Sequence, residues 1–280
     1  MRILYVTDLH GARWKYEKTL EVAKDLKSDI IINGGDMLPV NINFLKQGVF
    51  ITDFLDNYFA RINQQQIYYL SYLGNDDLKI FDDLFQKTCE QYTYIIPLAQ
   101  KRFLYQGYEF IGMNWVVDYP FGLKDRCRMD HKDYQFQRQI GKAVLSTKSG
   151  WNEIKNWKRY AQMLPTLKDE LENLIKPKNM EKAIYIIHMP PSEVGLDVCN
   201  NNIKVGSDSI YDFIKKNQPL MTLHGHIHEC PNVSQRWKCK IGSTFAIQPG
   251  QSSHSKKELI YIDIIIKFDK VLKISRNIKY

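Results

Sequence analysis

The sequence predicts an α/β fold built around a mostly parallel sheet, and three observations support this. Short apolar runs with the composition of buried strands recur along the chain. Amphipathic segments of helical length separate the first three runs, as expected for parallel strands joined by crossover helices. The runs end at glycines or polar residues, which mark turns. At 280 residues, the chain is long enough to bury a large core, and we expect a single domain over 1–280.

Five apolar runs are predicted to be strands buried on both faces, and they cover 3–6, 29–32, 67–73, 183–187 and 219–223. Helices are predicted over 14–27 and 44–63, between the first three strands, and over 78–89. Shorter strand-like runs follow at 92–96, 102–106 and 108–113, and a terminal hairpin is predicted from 259–266 and 270–275.

A polar cluster directly follows each of the five strands. These clusters contain Asp8 and His10, then Asp36, then Asn75, Asp76 and Asp77, then His188, and finally His226 and His228. In open α/β sheets, ligands bind beyond the carboxyl ends of the strands, so we expect these side chains to meet at one edge. Carboxylate oxygens and imidazole nitrogens suit Mn, Fe, Zn or Ni. The sequence therefore predicts a site for divalent metal ions.

The order of the clusters resembles the signature of the calcineurin-like metallophosphoesterases, which is D-x-H, G-D, G-N-H-[D/E], H and G-H-x-H. The later motifs around Gly195, Gly206 and Gly250, with the run PFGLKD at 120–125, are similar to a branch of mostly uncharacterised prokaryotic members. The resemblance implies a four-layer αββα sandwich, with the terminal hairpin in its second sheet. It also implies two metal ions. The first would be bound by Asp8, His10, Asp36 and His228, and the second by Asp36, Asn75, His188 and His226, with Asp36 bridging.

The activity that this resemblance implies is metal-dependent hydrolysis of a phosphoester. We expect a phosphodiesterase that acts on a nucleotide-like or other small phosphoester, by in-line attack of a hydroxide bridging the two metals. The expected catalytic residues are His10, Asp36, Asn75 and Asp76. Two alternatives remain: a nuclease acting on nucleic acid, and a non-catalytic scaffold with the same fold.

Asp76 stands where the family signature has a histidine that stabilises the transition state and protonates the leaving oxygen. An aspartate could replace that histidine only with a raised pKa, and nearby cations oppose such a rise. The alternative interpretation, which we favour, makes Asp76 and Asp77 N-cap residues of the helix predicted over 78–89.

Residues 115–165 are predicted to be an insertion that caps the site. Between 124 and 160, there are ten Lys or Arg residues and four Asp or Glu residues, interleaved with aromatic residues. Such a mixture suits bases, sugars and phosphates, but it is also typical of a surface insertion whose aromatic residues pack on the core. Arg126, Arg128 and His131 are the candidates for binding a phosphate oxygen.

The composition bears on the partners and the cellular location of the protein. A net charge of +8 is compatible with an anionic substrate such as a nucleotide, and nucleic acid remains an alternative partner. The five cysteines form no C-x-x-C pair, which favours reduced thiols in a cytoplasmic protein. We see no signal peptide and no apolar run of transmembrane length, so no membrane partner is expected. The sequence does not decide the oligomeric state.

Overall fold

The computed structural model describes residues 1–40, 43, 45–253 and 256–280. Its strands are β1 (Arg2–Val6), β2 (Ile30–Asn33), β3 (Tyr68–Ser71), β4 (Ile95–Pro97), β5 (Arg102–Tyr105), β6 (Tyr108–Met113), β7 (Val116–Val117), β8 (Cys127–Arg128), β9 (Val144–Thr147), β10 (Gly150–Glu153), β11 (Ala183–Ile187), β12 (Met221–Leu223), β13 (Lys238–Ile241), β14 (Thr244–Ile247), β15 (Leu259–Lys267) and β16 (Lys270–Lys279).

The helices are α1 (Arg13–Leu26), α2 (Leu45–Val49), α3 (Asp56–Gln64), α4 (Asp82–Cys89), α5 (Trp157–Ala161), α6 (Leu167–Asn173), α7 (Asp208–Asn217) and α8 (Cys230–Ser234). A π-helical stretch, Phe50–Leu55, joins α2 to α3, and short 3₁₀ turns cover Lys79–Phe81 and Met180–Lys182. Within the described ranges, no helix has the length and apolar character needed to cross a bilayer.

Two six-stranded sheets form the centre of the molecule. The strand order of the first is β16-β15-β1-β2-β3-β4, and that of the second is β13-β14-β12-β11-β6-β5. Strands β1 to β4 are parallel to one another, as are β6, β11, β12 and β14. The remaining strands of both sheets pair in the antiparallel sense. The carboxyl ends of the parallel strands therefore meet along one edge of each sheet.

The alternation of side chains along β1 shows how the layers stack. Ile3 and Tyr5 belong to a buried cluster that also contains side chains of β11 and β12, so this cluster lies between the sheets. Leu4 and Val6 face the opposite way, into a cluster with α1 and α3. A third cluster packs α6 and α7 on the far face of the second sheet. The layers are thus helix, sheet, sheet and helix, which confirms the predicted αββα fold.

Two local predictions were wrong, and a third differs in detail. The terminal hairpin adds to the first sheet, since β15 pairs with β1, and Arg2 of β1 binds the buried Asp263 of β15 at 2.8 Å and 2.9 Å. The predicted helix over 78–89 is instead a 3₁₀ turn followed by α4, with Leu78 and Phe81 as their N-caps. Asp76 and Asp77 therefore cap neither element. The predicted helix over 44–63 is divided by the π-helical stretch, and residue 44 lies outside the described residues.

The segment 115–165 contains β7 to β10 and α5. An ion pair with both side chains fully buried, Lys124 to Asp118 at 2.7 Å, lies within it. The Trp157 indole N–H also donates to Asp118, at 2.9 Å, and Trp157 packs in the cluster on the far face of the second sheet. The segment is therefore attached to the body of the protein through a buried polar network.

Candidate metal centre

The polar residues predicted as metal ligands meet where the carboxyl ends of the two sheets face each other. Asp8 and Asp36 follow strands of the first sheet, and His188 and His226 follow strands of the second. The side chains form two groups, and within each group the potential ligand atoms lie within 4.8 Å of one another. The first group is Asp8, His10, Asp36 and His228, and the second is Asp36, His188 and His226. Asp36 belongs to both groups, which is the arrangement expected of a carboxylate shared by two cations.

Asn75 completes the second group. Its side-chain oxygen lies 2.9 Å from His188 Nε2 and 2.6 Å from His226 Nδ1. The same His188 nitrogen lies 3.3 Å from Asp36 Oδ2. Four different strand ends thus present donor atoms to one small volume.

The donor atoms fit divalent cations. Asp8 Oδ2 is buried, and no described residue donates a hydrogen bond to it. The Nε2 atoms of His10 and His228 lie 3.0 Å apart, so two ring nitrogens face the same space. A buried carboxylate oxygen without a donor is costly unless a cation or water satisfies it. Oxygen and imidazole donors of this kind suit Mn, Fe, Zn or Ni.

The backbone at the site has unusual conformations. Asp8, His10, Asp36 and His226 have positive φ values, from 43° to 69°, which non-glycine residues adopt at a cost of about 1–3 kcal/mol each. Backbone hydrogen bonds between the two loops hold two of them, because Asp8 N donates to Gly35 O at 3.0 Å and His10 N donates to Asp36 O at 2.9 Å. Such outliers cluster at functional sites, where the surrounding structure enforces them.

Two glycines allow the loops to approach closely. A Cβ atom on Gly74 would lie 2.2 Å from Asp36 Oδ1, and one on Gly225 would lie 2.8 Å from Asp8 Oδ2. Any other residue at these positions would push the carboxylates out of place.

The charges at the site are strongly coupled. Burial lowers the pKa of His188, but the charge of the Asp36 carboxylate outweighs burial, and the pKa of His188 rises to about 9. In the same way, burial lowers the pKa of His228, but the Asp8 carboxylate raises it to about 9. Burial and the nearby His188 lower the pKa of His226 to about 3. Cations must therefore compete with protons for His188 and His228, since only a neutral imidazole binds a metal.

Asp76 lies beside this site, next to His10 and Asn75. Its Oδ1 accepts a hydrogen bond from the Asn75 amide at 3.0 Å, and its Oδ2 lies 3.9 Å from His10 Nδ1. Burial, together with the charge of Asp36, raises the pKa of Asp76 to about 7.

Asp77 has a role that the sequence analysis missed. Its buried carboxylate accepts hydrogen bonds from the backbone N–H groups of Met37 at 2.9 Å, Leu38 at 2.7 Å and Gly74 at 2.7 Å. It thereby joins the loop that carries Asp36 to the loop that carries Asn75. The only sequence signal was an aspartate next to the glycine-containing loop, and this does not distinguish Asp77 from Asp76.

His224 precedes the last motif and is a hydrogen-bonded core residue. Its buried Nδ1 lies 2.9 Å from both Ile187 O and Met189 O. Its Nε2 lies 2.8 Å from the Thr222 hydroxyl. Burial lowers the pKa of His224 to about 4, so the ring is neutral at pH 7.

The three residues predicted to bind substrate lie apart from the candidate ligands. Arg126 is buried, and its Nε donates to Gly74 O at 2.7 Å while its other nitrogens pair with Asp82. Arg128 pairs with Glu170 at 2.9 Å. His131 lies next to Asp130 and Asp208. None of the three lines the cleft that opens beside the two ligand groups.

A cleft of about 1270 Å³ opens beside the two ligand groups. Asp36, Asn75, Asp76, His226 and His228 line its inner end. Residues from the segments 117–123 and 137–141 form one wall, and residues from the segment 199–205 contribute another. The insertion therefore contributes to the surface that surrounds the candidate centre.

Comparisons with known proteins agree with this geometry. The family model for calcineurin-like phosphoesterases matches residues 1–230. No curated protein sequence matches the chain. One solved structure superposes with a TM-score of 0.61 at 18% identity, over 99% of this chain and 98% of its own.

Two further solved structures share the fold. One is a protein of Thermus thermophilus, with a TM-score of 0.54 at 15% identity over 93% of each chain. The other is a dimetal phosphatase from Danio rerio, with a TM-score of 0.52 at 9% identity over 96% of this chain and 93% of that chain. Identities this low establish the fold alone. Because the family model spans most of the chain, including every candidate metal ligand, the protein belongs to the calcineurin-like phosphoesterase family and is a metal-dependent phosphoric ester hydrolase.

Proposed function

We propose that the protein is a phosphodiesterase that uses two divalent metal ions to hydrolyse a small, nucleotide-like phosphoester. The observation that carries this proposal is the sharing of Asp36 by two groups of ligand atoms, each within 4.8 Å. Asp8, His10, Asp36 and His228 would hold one ion, and Asp36, Asn75, His188 and His226 the other. When bound, two such ions supply an activated water and offset the charge of the phosphate.

The side chains of the protein have distinct roles in this proposal. Asp36 fixes the two ligand groups relative to each other. The Asn75 carbonyl oxygen lies beside His188 Nε2 and His226 Nδ1, where the three atoms would bind the same ion, and the Asn75 amide N–H group donates to Asp76. Asp76 adds negative charge at the cleft, with its Oδ2 lying 3.9 Å from His10 Nδ1.

Charge at the cleft favours a diester over a monoester. Asp76 lines the cleft and is ionised near neutral pH once cations occupy the adjacent groups, because cations favour the carboxylate. A monoester phosphate is a dianion near neutral pH and a diester is a monoanion, so a carboxylate at the cleft repels the monoester more strongly.

The test is metal-dependent hydrolysis of bis-p-nitrophenyl phosphate, a diester, compared with p-nitrophenyl phosphate, a monoester. We expect the manganese-loaded protein to prefer the diester and to lose activity with chelator. Asp36→Asn should lower kcat/KM by about a hundredfold or more, since both ligand groups lose a carboxylate. Asp133→Asn, which changes an exposed carboxylate outside the cleft, is the matched control. Activity that survives in Asp36→Asn, or a strong preference for the monoester, would refute the proposal.

A further inference from the structure

A row of rings leads from the candidate metal centre into the cleft. The centroid of the Tyr119 ring lies 5.9 Å from that of the His226 ring and 6.1 Å from that of the Phe121 ring. The Tyr119 hydroxyl donates to Leu123 O at 2.7 Å, which fixes the orientation of the ring. These separations are those of interacting aromatic pairs. Aromatic surface therefore begins at a candidate ligand and continues outward along one wall.

The mouth of the cleft is apolar and open to solvent. Phe121 is 61% exposed, Ile140 is 63% exposed and Ile203 is 54% exposed, and all three line the cleft. Single exposed apolar side chains are ordinary. Three around one cleft, next to a hydrolytic centre, form a surface that an apolar part of a ligand would cover.

The positive charge of the insertion is not directed into the cleft. Of the Lys and Arg residues between 124 and 160, only Arg138 lines it. Several others are paired with carboxylates: Lys124 with Asp118, Arg126 with Asp82, Arg128 with Glu170 and Lys142 with Glu153. A strand of nucleic acid needs a row of cations along its phosphates, so the charge distribution favours a small ester.

From these observations, and resting on the proposed function, we propose that Tyr119, Phe121 and Ile140 form a subsite for a flat aromatic group of the ester, attached to the phosphate directly or through a sugar. The group would pack against the two aromatic rings, whose planes are inclined at 48° to each other, while the phosphate lies at the metal centre. Two sources share this chemistry, a nucleobase and a simple aryl group.

Calorimetric titration can test this subsite without turnover. The manganese-loaded protein is titrated with methyl phosphate, phenyl phosphate and adenosine monophosphate, which carry the same phosphate and differ in the attached group. We expect at least one of the aromatic esters to bind about tenfold more tightly than methyl phosphate, as base–aromatic stacking provides. Tighter binding of adenosine monophosphate than of phenyl phosphate would identify a nucleobase, and the reverse would identify an aryl group.

Variants assign the effect to the subsite. Phe121→Ala should bring the Kd of the aromatic esters toward that of methyl phosphate, whereas Phe121→Tyr should keep the difference. Phe268→Ala is the matched control, because Phe268 is 94% exposed in the turn between β15 and β16, beyond the amino end of β1. Both Phe121 variants change an exposed ring, so folding should not be affected.

Equal Kd values for the three monophosphates would overturn the subsite. An oligothymidine that binds much more tightly than thymidine monophosphate, with an affinity falling steeply with salt, would also overturn it in favour of a nucleic acid strand. Failure of the proposed function is a separate result, namely absence of bis-p-nitrophenyl phosphate hydrolysis whatever the Kd values are.

Discussion

Asp76 is the residue at which this chain departs from the signature that it resembles. Its carboxylate faces the cleft, hydrogen-bonded to Asn75, where the signature has a histidine. An imidazole can hold a proton near neutral pH and release it to a leaving oxygen, whereas a carboxylate beside two cations stays ionised. We therefore expect the enzyme to be weak on esters whose leaving group needs a proton.

The substitution Asp76→His tests this expectation. It should raise kcat for thymidine 5′-(methyl phosphate), whose methanol leaving group needs protonation, by about tenfold or more. Turnover of thymidine 5′-(p-nitrophenyl phosphate) should change little, since nitrophenolate leaves without a proton. Asp76→Asn, which has no proton to transfer, controls for removal of the negative charge. An unchanged kcat for the methyl ester in Asp76→His would show that protonation is not limiting.

At the scale of elements, the strands were easier to predict than the connections. Strands 183–187 and 108–113 were predicted to the residue, because each is an apolar run bounded by turn residues. Asp77 was predicted from its local sequence to be a helix N-cap, but it caps no helix. Its carboxylate instead accepts hydrogen bonds from the backbone N–H groups of Met37 and Leu38, which are far away in the chain. Such partners are set by tertiary packing and leave no periodic signal in the sequence.

The same reasoning applies to the insertion. Arg126 and Arg128 lie in a polar stretch whose composition suggests solvated cations. The structure buries both, because each meets a carboxylate from another element, Asp82 in α4 and Glu170 in α6. Arg126 also binds Gly74 O, one residue before Asn75, and so joins the insertion to the loop that carries a candidate metal ligand.

We predict that Arg126→Lys lowers the free energy of unfolding by about 1–3 kcal/mol, because one ammonium cannot satisfy both Gly74 O and the Asp82 carboxylate. Urea denaturation of the metal-free protein measures this change. The matched control is Arg159→Lys, at an exposed position of the same insertion. If Arg126 instead binds substrate, Arg126→Lys would raise KM, and its urea midpoint would equal that of the control.

At the scale of the whole molecule, the candidate centre bridges the two sheets. Asp8, Asp36 and Asn75 come from the first sheet, and the candidate ligand histidines after β11 and β12 come from the second. The sequence predicted this meeting point, since polar residues follow every buried strand. The terminal hairpin was assigned to the wrong sheet, because the strands of both sheets are apolar runs with the same period. Pairing with β1 is decided by contacts such as Arg2 with Asp263.

Since its ligands come from both sheets, the centre should bind cations only when the sheets are packed together. Manganese at about a hundred times its Kd should then raise the free energy of unfolding by about 2.7 kcal/mol for each site, and chelator should reverse the rise. Asp36→Asn should remove most of the effect at both sites, whereas Asp133→Asn should keep it. The measurement is urea denaturation with and without manganese, together with the number of ions bound per chain. Two ions bound without any rise in stability would mean that the unfolded chain binds them equally well, and a centre shared by two packed sheets does not allow that.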